Sequence, residues 1–421
     1  MQHSVFIFAH VFVRFLSDFG NVINFLNREN FQIKILTSPP NETNELSAYS
    51  TSMIKEYLSL LPAGAEMSFL PVESTRVSFL SVIKTALVAF RVGLHNPDGL
   101  YILWGTKISI ACGLPLRLLN RRCLFMVTGL GTLMGSKDPR LVKEVRFGRS
   151  LAMSAYRFLL TGRNSRCLTH NEEDKEYLSS TFGVDPKHFF VTPGCGVDPK
   201  FFPFFSHYTN HTPKVILVPA RLIEEKGIFE AAAASRILDA RGIAHEMWFT
   251  GAVEPYPKNE VVRTEGCSAI REEDIERMKA ESPSIKFIGY NRSVVPLYEQ
   301  CDIVCLPSRY PEGLPTALIE AAACGRPAVT CDNVGCREIV VHGETGLVVP
   351  KADSVALAAA LERLLTDEAL CERFRQAAYQ RFLAGYTKDI VLQRTVEGLE
   401  SLGFSFEAER SAPDIRVAQA A

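Results

Sequence analysis

The chain has 421 residues, with 46 Lys and Arg against 47 Asp and Glu and a formal net charge of -1. A balance so close to neutral excludes a protein that grips nucleic acid through its bulk charge. With 47 % hydrophobic and 22 % charged residues, the composition suits a globular protein with a sizeable core and excludes a disordered or fibrous one. At ~100–200 residues per domain, the length implies two or three domains.

The stretch from Met1 to Phe12 has no basic start followed by a long apolar run. Val5–Phe8 is too short for a signal-peptide core and reads as a first strand. No run of about 18 apolar residues occurs, so a membrane would be met from its surface. A cytoplasmic protein is the expectation. The 11 cysteines include no CxxC, and no HExxH occurs. They read as reduced, mostly buried thiols, and no metal site is expected.

Further along, apolar runs occur at Val5–Phe8, Ile33–Leu36, Leu100–Trp104 and Cys123–Val127. They resume at Val215–Val218, Glu246–Thr250, Ile285–Ile288, Ile303–Leu306 and Ala328–Thr330. Alternation with helical patterns implies parallel sheets of βαβ units, and continuous apolar runs suit strands covered on both faces. Helices are expected over Ile228–Leu238, Leu314–Ala323 and Ser354–Leu365, the second closed by Cys324-Gly325 and Pro327. A turn-rich and polar seam near 193–213 divides the chain into an N-terminal domain, 1–200, and a C-terminal one, 201–384. A helix at about 385–405 is expected to pack back on the first, and 406–421 to fray. Two stretches, Lys84–Arg91 and Arg117–Arg122, mix cations with apolar residues. They suit either an anionic lipid surface or helix ends facing solvent.

In open α/β sheets, ligands bind beyond the carboxyl ends of the strands. Arg221 and Lys226 fall there, between a strand and a helix that follows Gly227. Such a cation pair can hold a diphosphate, Arg with its planar fork and Lys as a point charge. The competing reading is a solvated loop with two surface cations. After the strand ending at Leu306 comes a loop with Glu312, and then a helix expected to start near Pro315. The backbone of Gly313, Leu314, Pro315 and Thr316 would present bare N–H groups at every position but the proline, together with the positive end of a helix dipole, a ready phosphate site. Glu320 lies about one turn inside that helix among Ala and Ile. It can accept hydrogen bonds from a diol, as the acidic residue of dinucleotide sites does, or it can be a buried Glu satisfied by nearby backbone.

Glu312 and Glu320, with Gly313-Leu314-Pro315 between them, resemble the E-x7-E motif of family-4 retaining glycosyltransferases of the GT-B fold. The resemblance runs over roughly 193–350 and takes in Arg221, Lys226-Gly227, Ile285–Tyr290, Leu297–Asp302 and Gly335–Val349. It implies an α/β fold of two Rossmann-like domains facing across a cleft, with the donor site mainly in the C-terminal half. By position, Arg221 and Lys226 would hold the donor diphosphate, Glu320 the ribose and Glu312 the transferred sugar. Gly313 to Thr316 would contact phosphate or sugar, and Gly289 and Tyr290 would lie near the base. Gly20, in the first loop, would approach the donor phosphates.

Phe12–Leu16, Lys107, Thr128–Gly131, Asn171–Asp174 and Gly194–Asp198 are similar to bacterial surface-polysaccharide enzymes that act on undecaprenyl-diphosphate-linked sugars. Many family members carry a His where this chain has Thr128-Gly129-Leu130-Gly131. No His contact to the donor sugar is therefore expected, and His10 and His170 read as structural.

The resemblance implies a metal-independent hexosyltransferase that uses a nucleotide-sugar donor, UDP-linked in preference to GDP-linked. The acceptor would be a glycan, lipid-linked, in O-antigen, capsule or exopolysaccharide synthesis. No cofactor besides the donor and no nucleic-acid partner is expected, and the protein would sit peripherally on the inner face of the plasma membrane. Two rivals remain: a UDP-sugar epimerase of the same fold, and a non-catalytic nucleotide-sugar-binding subunit. A dehydrogenase would need G-x-G-x-x-G after the first strand, which His10–Gly20 lacks.

Overall fold

The computed structural model describes residues 3–9, 12–38, 61–71, 79–128, 152–206, 212–251, 269–291, 293–310 and 312–406. The described residues up to Cys195, with those from Lys388 onward, form one compact unit; Gly196–Thr387 forms the other.

The first unit is built on β1 (Ser4–Ala9), β2 (Gln32–Thr37), β3 (Glu66–Phe69), β4 (Leu100–Trp104), β5 (Arg122–Val127), β6 (Ser165–Thr169) and β7 (Phe189–Val191). Their order is β3-β2-β1-β4-β5-β6-β7, every pair parallel. The second contains β8 (Lys214–Pro219), β9 (His245–Thr250), β10 (Ile285–Gly289), β11 (Ile303–Leu306), β12 (Ala328–Cys331) and β13 (Gly346–Val349). Its order, β10-β9-β8-β11-β12-β13, is again all parallel. Both sheets follow the doubly wound Rossmann order.

All nine apolar runs fall on strands. Four strands lay outside them. β3 is an edge strand whose Glu66, Ser68 and Phe69 are exposed. β6 opens Ser-Arg, and Arg166 turns to bond Ser401 Oγ at 2.9 Å and Ser401 O at 2.8 Å. β7 and β13 have only 3 and 4 residues.

In the first unit, α1 (Phe12–Arg28), α2 (Phe79–His95), α3 (Thr106–Leu118), α4 (Glu172–Phe182) and α12 (Lys388–Glu400) surround the sheet. Phe15, Leu16, Phe19, Val22, Ile23 and Leu26 give α1 one apolar face toward the core. Gly20, expected in a loop, lies inside this helix, one residue after a break at Phe19 (φ -126°, ψ 21°). The reason is the apolar stripe, which continues past Gly20 and keeps the segment helical on the sheet. Val391 and Leu399 of α12 join the same core.

In the second unit, α5 (Ile228–Ala240), α6 (Glu272–Glu281), α7 (Val295–Gln300), α8 (Thr316–Ala323), α9 (Val334–Ile339), α10 (Ser354–Thr366) and α11 (Glu368–Gly385) flank the sheet. Ile216 and Val218 of β8 pack with α5 and α10, whereas Val215 and Leu217 pack with α8 and α11. Alternate residues of one strand thus feed two cores, and this double burial is why the strand sequence is apolar throughout. Among the described residues, no helix is long and apolar enough to cross a membrane.

Asn171–Asp174, singled out above, forms the start of α4. Asn171 Oδ1 accepts from Asp174 N at 2.6 Å, and Asn171 Nδ2 donates to Asp174 Oδ2 at 3.0 Å. Gly183 closes the helix in the left-handed conformation, φ 65°. Burial raises the Asp174 carboxyl to about 6, against the lowering effect of Asn171. The folded chain therefore holds this proton at a pH where the unfolded chain has lost it. The resulting stabilisation is present below about pH 4 and is lost as pH rises through about 6. Asp174→Asn should flatten that part of the profile, gaining about 1–3 kcal/mol relative to wild type between pH 4 and pH 7. Urea unfolding of both proteins across this range measures it; parallel profiles would contradict it.

Candidate functional site

β8 and β11 lie side by side, with Ile216 opposite Ile303 and Leu217 opposite Val304. From β8 the chain winds to β9 and β10 on one side, and β11, β12 and β13 lie on the other. The β8–β11 junction is therefore the topological switch point, where parallel sheets leave a crevice beyond their carboxyl ends.

The β8 exit carries exposed Arg221, then buried Leu222 and Ile223. A 3-10 turn, Glu224–Lys226, follows and ends at Gly227 with φ 74°. The β11 exit runs from Pro307 to Pro315. The two are laced together. Glu225 O accepts from Arg309 N at 2.9 Å and Tyr310 N at 3.3 Å. Lys226 Nζ donates to Glu312 Oε1 at 2.5 Å, and Ser308 Oγ donates to the same oxygen at 2.7 Å. The two ionic side chains are only 17 % and 11 % exposed, so the pair is weakly screened by solvent. Arg309 is tied back to Glu230 of α5 at 3.2 Å.

Two glycines make this interlock possible. A Cβ on Gly227 would lie 2.1 Å from Pro307 O, and one on Gly335 would lie 2.3 Å from Gly313 O and 2.9 Å from Glu312 O. Asn333 Nδ2 adds a hydrogen bond to Ser308 O. Three strand exits therefore pack together around the loop that carries Glu312.

The helix expected to start near Pro315 begins one residue later. Pro315 is the N-cap, with φ -68° and ψ 113°. Its carbonyl accepts from Leu318 N at 3.0 Å and Ile319 N at 3.4 Å. The ring fixes φ but leaves ψ to the loop, and an extended ψ here aims the carbonyl into the first turn. The amides of Thr316 and Ala317 then have no intrahelical carbonyl to reach. Gly313 and Thr316 are partly exposed, while Leu314 and Pro315 are buried.

Glu320, on α8, has another partner. Its Oε2 accepts from Tyr298 Oη of α7 at 2.8 Å. Burial, reinforced by the Glu320 charge, holds the Tyr298 phenol well above its ordinary value, so it remains a donor. At the end of β10, Gly289 has φ 72° and open space where a Cβ would stand. Gly289 O accepts from Thr250 Oγ1 and Gly251 N, each at 3.1 Å. Tyr290 is 53 % exposed at the same carboxyl edge of the sheet.

Lys226 and Glu312 are thus in direct contact, and Glu320, Gly289, Tyr290 and Arg221 are distributed along one sheet edge. Gly20 belongs to the other unit. Ser308, Asn333 and the Tyr298–Glu320 bond were not foreseen as site features; the one sequence signal was the position of Ser308 directly behind a strand. Gly129 and Gly131 lie outside the described residues, as does His10, and the Lys107 side chain is not described. His170 is buried. Among the described residues, no cluster of His, Cys, Asp or Glu could hold a metal ion. The ten described cysteines are buried and unbridged, and burial pushes the Cys301 and Cys336 thiols up to about 12.

Residues 200–381, which contain this whole edge, match the family described as Glycosyl transferases group 1. Over that stretch the chain is similar to this family. The amylovoran biosynthesis glycosyltransferase AmsK of Erwinia amylovora is 29 % identical over 233 residues, 51 % of this chain and 54 % of the relative. The N,N'-diacetylbacillosaminyl-diphospho-undecaprenol alpha-1,3-N-acetylgalactosaminyltransferase of Campylobacter jejuni is 27 % identical over 231 residues, 53 % of this chain and 57 % of the relative. The matches with these two relatives therefore span little more than half of their length. The solved structure of Anabaena Alr3699/HepE in complex with UDP and glucose covers 95 % of this chain and 100 % of its own, with a TM-score of 0.70 at 14 % identity. That likeness shows the GT-B fold.

The matched stretch offers a controlled test of its interlock. Gly227 and Gly242 share a left-handed backbone, φ 74° and 71°, but nothing lies within 4 Å of a Cβ on Gly242. Gly242→Ala should cost about 1 kcal/mol in urea unfolding, the left-handed penalty alone. Gly227→Ala should cost at least about 2 kcal/mol more, the added cost of overpacking. Equal losses would show that the close approach to Pro307 carries no energy.

Proposed function

We propose that the chain is a retaining, metal-independent glycosyltransferase of bacterial polysaccharide synthesis. It moves a sugar from a nucleotide-sugar donor to a glycan acceptor, with a UDP-linked donor and a lipid-linked acceptor as the favoured chemistry. One observation carries the reading: a weakly exposed Lys226–Glu312 pair sits at the switch point, directly ahead of the α8 N-terminus.

The Lys226–Glu312 pair is neutral as a unit. A diphosphate at the start of α8 gives Lys226 a second anionic partner and leaves Glu312 able to accept from the sugar hydroxyls. Arg221 closes on the phosphates from the β8 exit. As the bond between the anomeric carbon and the phosphate oxygen breaks, negative charge grows on the leaving diphosphate. Arg221, Lys226 and the backbone from Gly313 to Thr316 stabilise it, each key donor contributing ~3–4 kcal/mol. The leaving phosphate takes the proton of the acceptor hydroxyl, whose oxygen bonds the anomeric carbon on the same face. Glu320, oriented by Tyr298, accepts from the ribose, and Gly289 and Tyr290 border the base. The names of the AmsK and Campylobacter relatives support a polysaccharide role and a lipid-linked acceptor, and the UDP complex of HepE supports a UDP donor.

The donor is identified by a panel of nucleotide sugars, since a tight binder raises the melting temperature by mass action. Radiolabelled transfer then tests the roles. Arg221 is exposed, so Arg221→Ala should leave thermal unfolding unchanged while kcat falls by about 100-fold or more. Tyr298→Phe should raise the donor KM by about 5- to 10-fold with kcat nearly unchanged, the loss of one hydrogen bond to a carboxylate. Transfer should persist in EDTA. Full turnover by Arg221→Ala, or donor conversion without an acceptor, would sink the reading, the latter in favour of an epimerase.

A further inference from the structure

Helix α2 of the first unit presents an unusual outer surface. Leu80, Ile83, Leu87, Phe90 and Leu94 are between 37 % and 61 % exposed. At 100° per residue they fall within an arc of about 80°, a continuous stripe along the helix. The opposite side carries Thr85, Ala89 and Gly93, all buried. A Cβ on Gly93 would lie 2.9 Å from both Leu116 and Leu119, so that side rests against α3 and its C-terminal turn. Arg121 Nε, bonded to Gly93 O at 2.9 Å, pins the end of α2 there. The apolar stripe is therefore the outer surface of a fixed helix.

Charge decides what covers it. Exposed Lys84 and Arg91 border the stripe on one side, within about 40° of Leu80 on the wheel. No Asp or Glu occurs between Phe79 and His95. A two-fold pairing of this face with a second copy would bring like charges together. An anionic bilayer neutralises Lys84 and Arg91 while taking the leucines and Phe90 into its headgroup–acyl boundary. We infer that α2 is a membrane-docking helix lying in the plane of an anionic lipid surface. This inference does not depend on the transfer reaction, because binding to vesicles is read without donor or acceptor.

The test is co-sedimentation of the full chain with vesicles of phosphatidylglycerol and phosphatidylethanolamine, against vesicles of phosphatidylcholine. The wild type should partition at least about tenfold more strongly onto the anionic vesicles. Leu87→Glu/Leu94→Glu should lose about tenfold or more of that partition with an unchanged unfolding midpoint, since both sites are exposed. Lys84→Glu/Arg91→Glu, which leaves the stripe intact, should lose a similar factor. Equal partition by the wild type and both variants overturns the inference. A wild-type dimer in sedimentation velocity that dissociates in Leu87→Glu/Leu94→Glu also overturns it, by showing that a second copy covers the stripe.

Discussion

The contact between Lys226 and Glu312 is the constraint on which the site depends. Each side chain comes from a different strand exit, and both are largely withdrawn from water. A nearly buried pair is stable only when its geometry is good and its remaining hydrogen-bond capacity is used. Ser308 meets part of that requirement at the shared Glu312 oxygen. The backbone around it is tightly packed, with Gly227 pressed on Pro307 and Gly335 on Gly313. Removing one charge would strand the other, so the pair defines the loop conformation as well as the charge of the site.

The sheet below makes that precision affordable. β8, β11 and β12 are buried on both faces, with successive residues shared between two cores. Buried Arg326 and Arg375 reinforce the unit through carbonyls rather than carboxylates alone: Arg326 Nε bonds Tyr298 O at 2.7 Å, and Arg375 Nε bonds Gly325 O at 2.9 Å. Arg326 thereby fixes α7, which holds Tyr298 against Glu320. Glu320 and Tyr298 sit on helices, and Arg221, Lys226 and Glu312 sit on short loops directly anchored to strand ends.

The first unit uses the same architecture differently. Its Asn171–Asp174 segment caps a helix, which gives that stretch a structural reason to be polar without assigning it an acceptor role. Its α2 directs large apolar residues outward while small ones face α3. Among the described residues most other large apolar side chains lie inside, and that contrast is what singles out the outer face of α2.

Much was legible from the chain itself. Strands buried on both faces need apolar runs, and those runs stand out locally. The cations after β8 and the Glu312–Glu320 spacing are also local, because a strand-to-helix exit spans few residues. What required the tertiary structure was long-range. Lys226 and Glu312 are 86 residues apart, and Asn333 reaches back 25 to Ser308. The extended ψ of Pro315, the helical setting of Gly20 and the short or polar strands β3, β6, β7 and β13 depend on neighbours that sequence spacing does not name. α2 makes the point most plainly: the mixed cations and apolar residues of Lys84–Arg91 left its surroundings open, and only packing against α3 decides which side meets water.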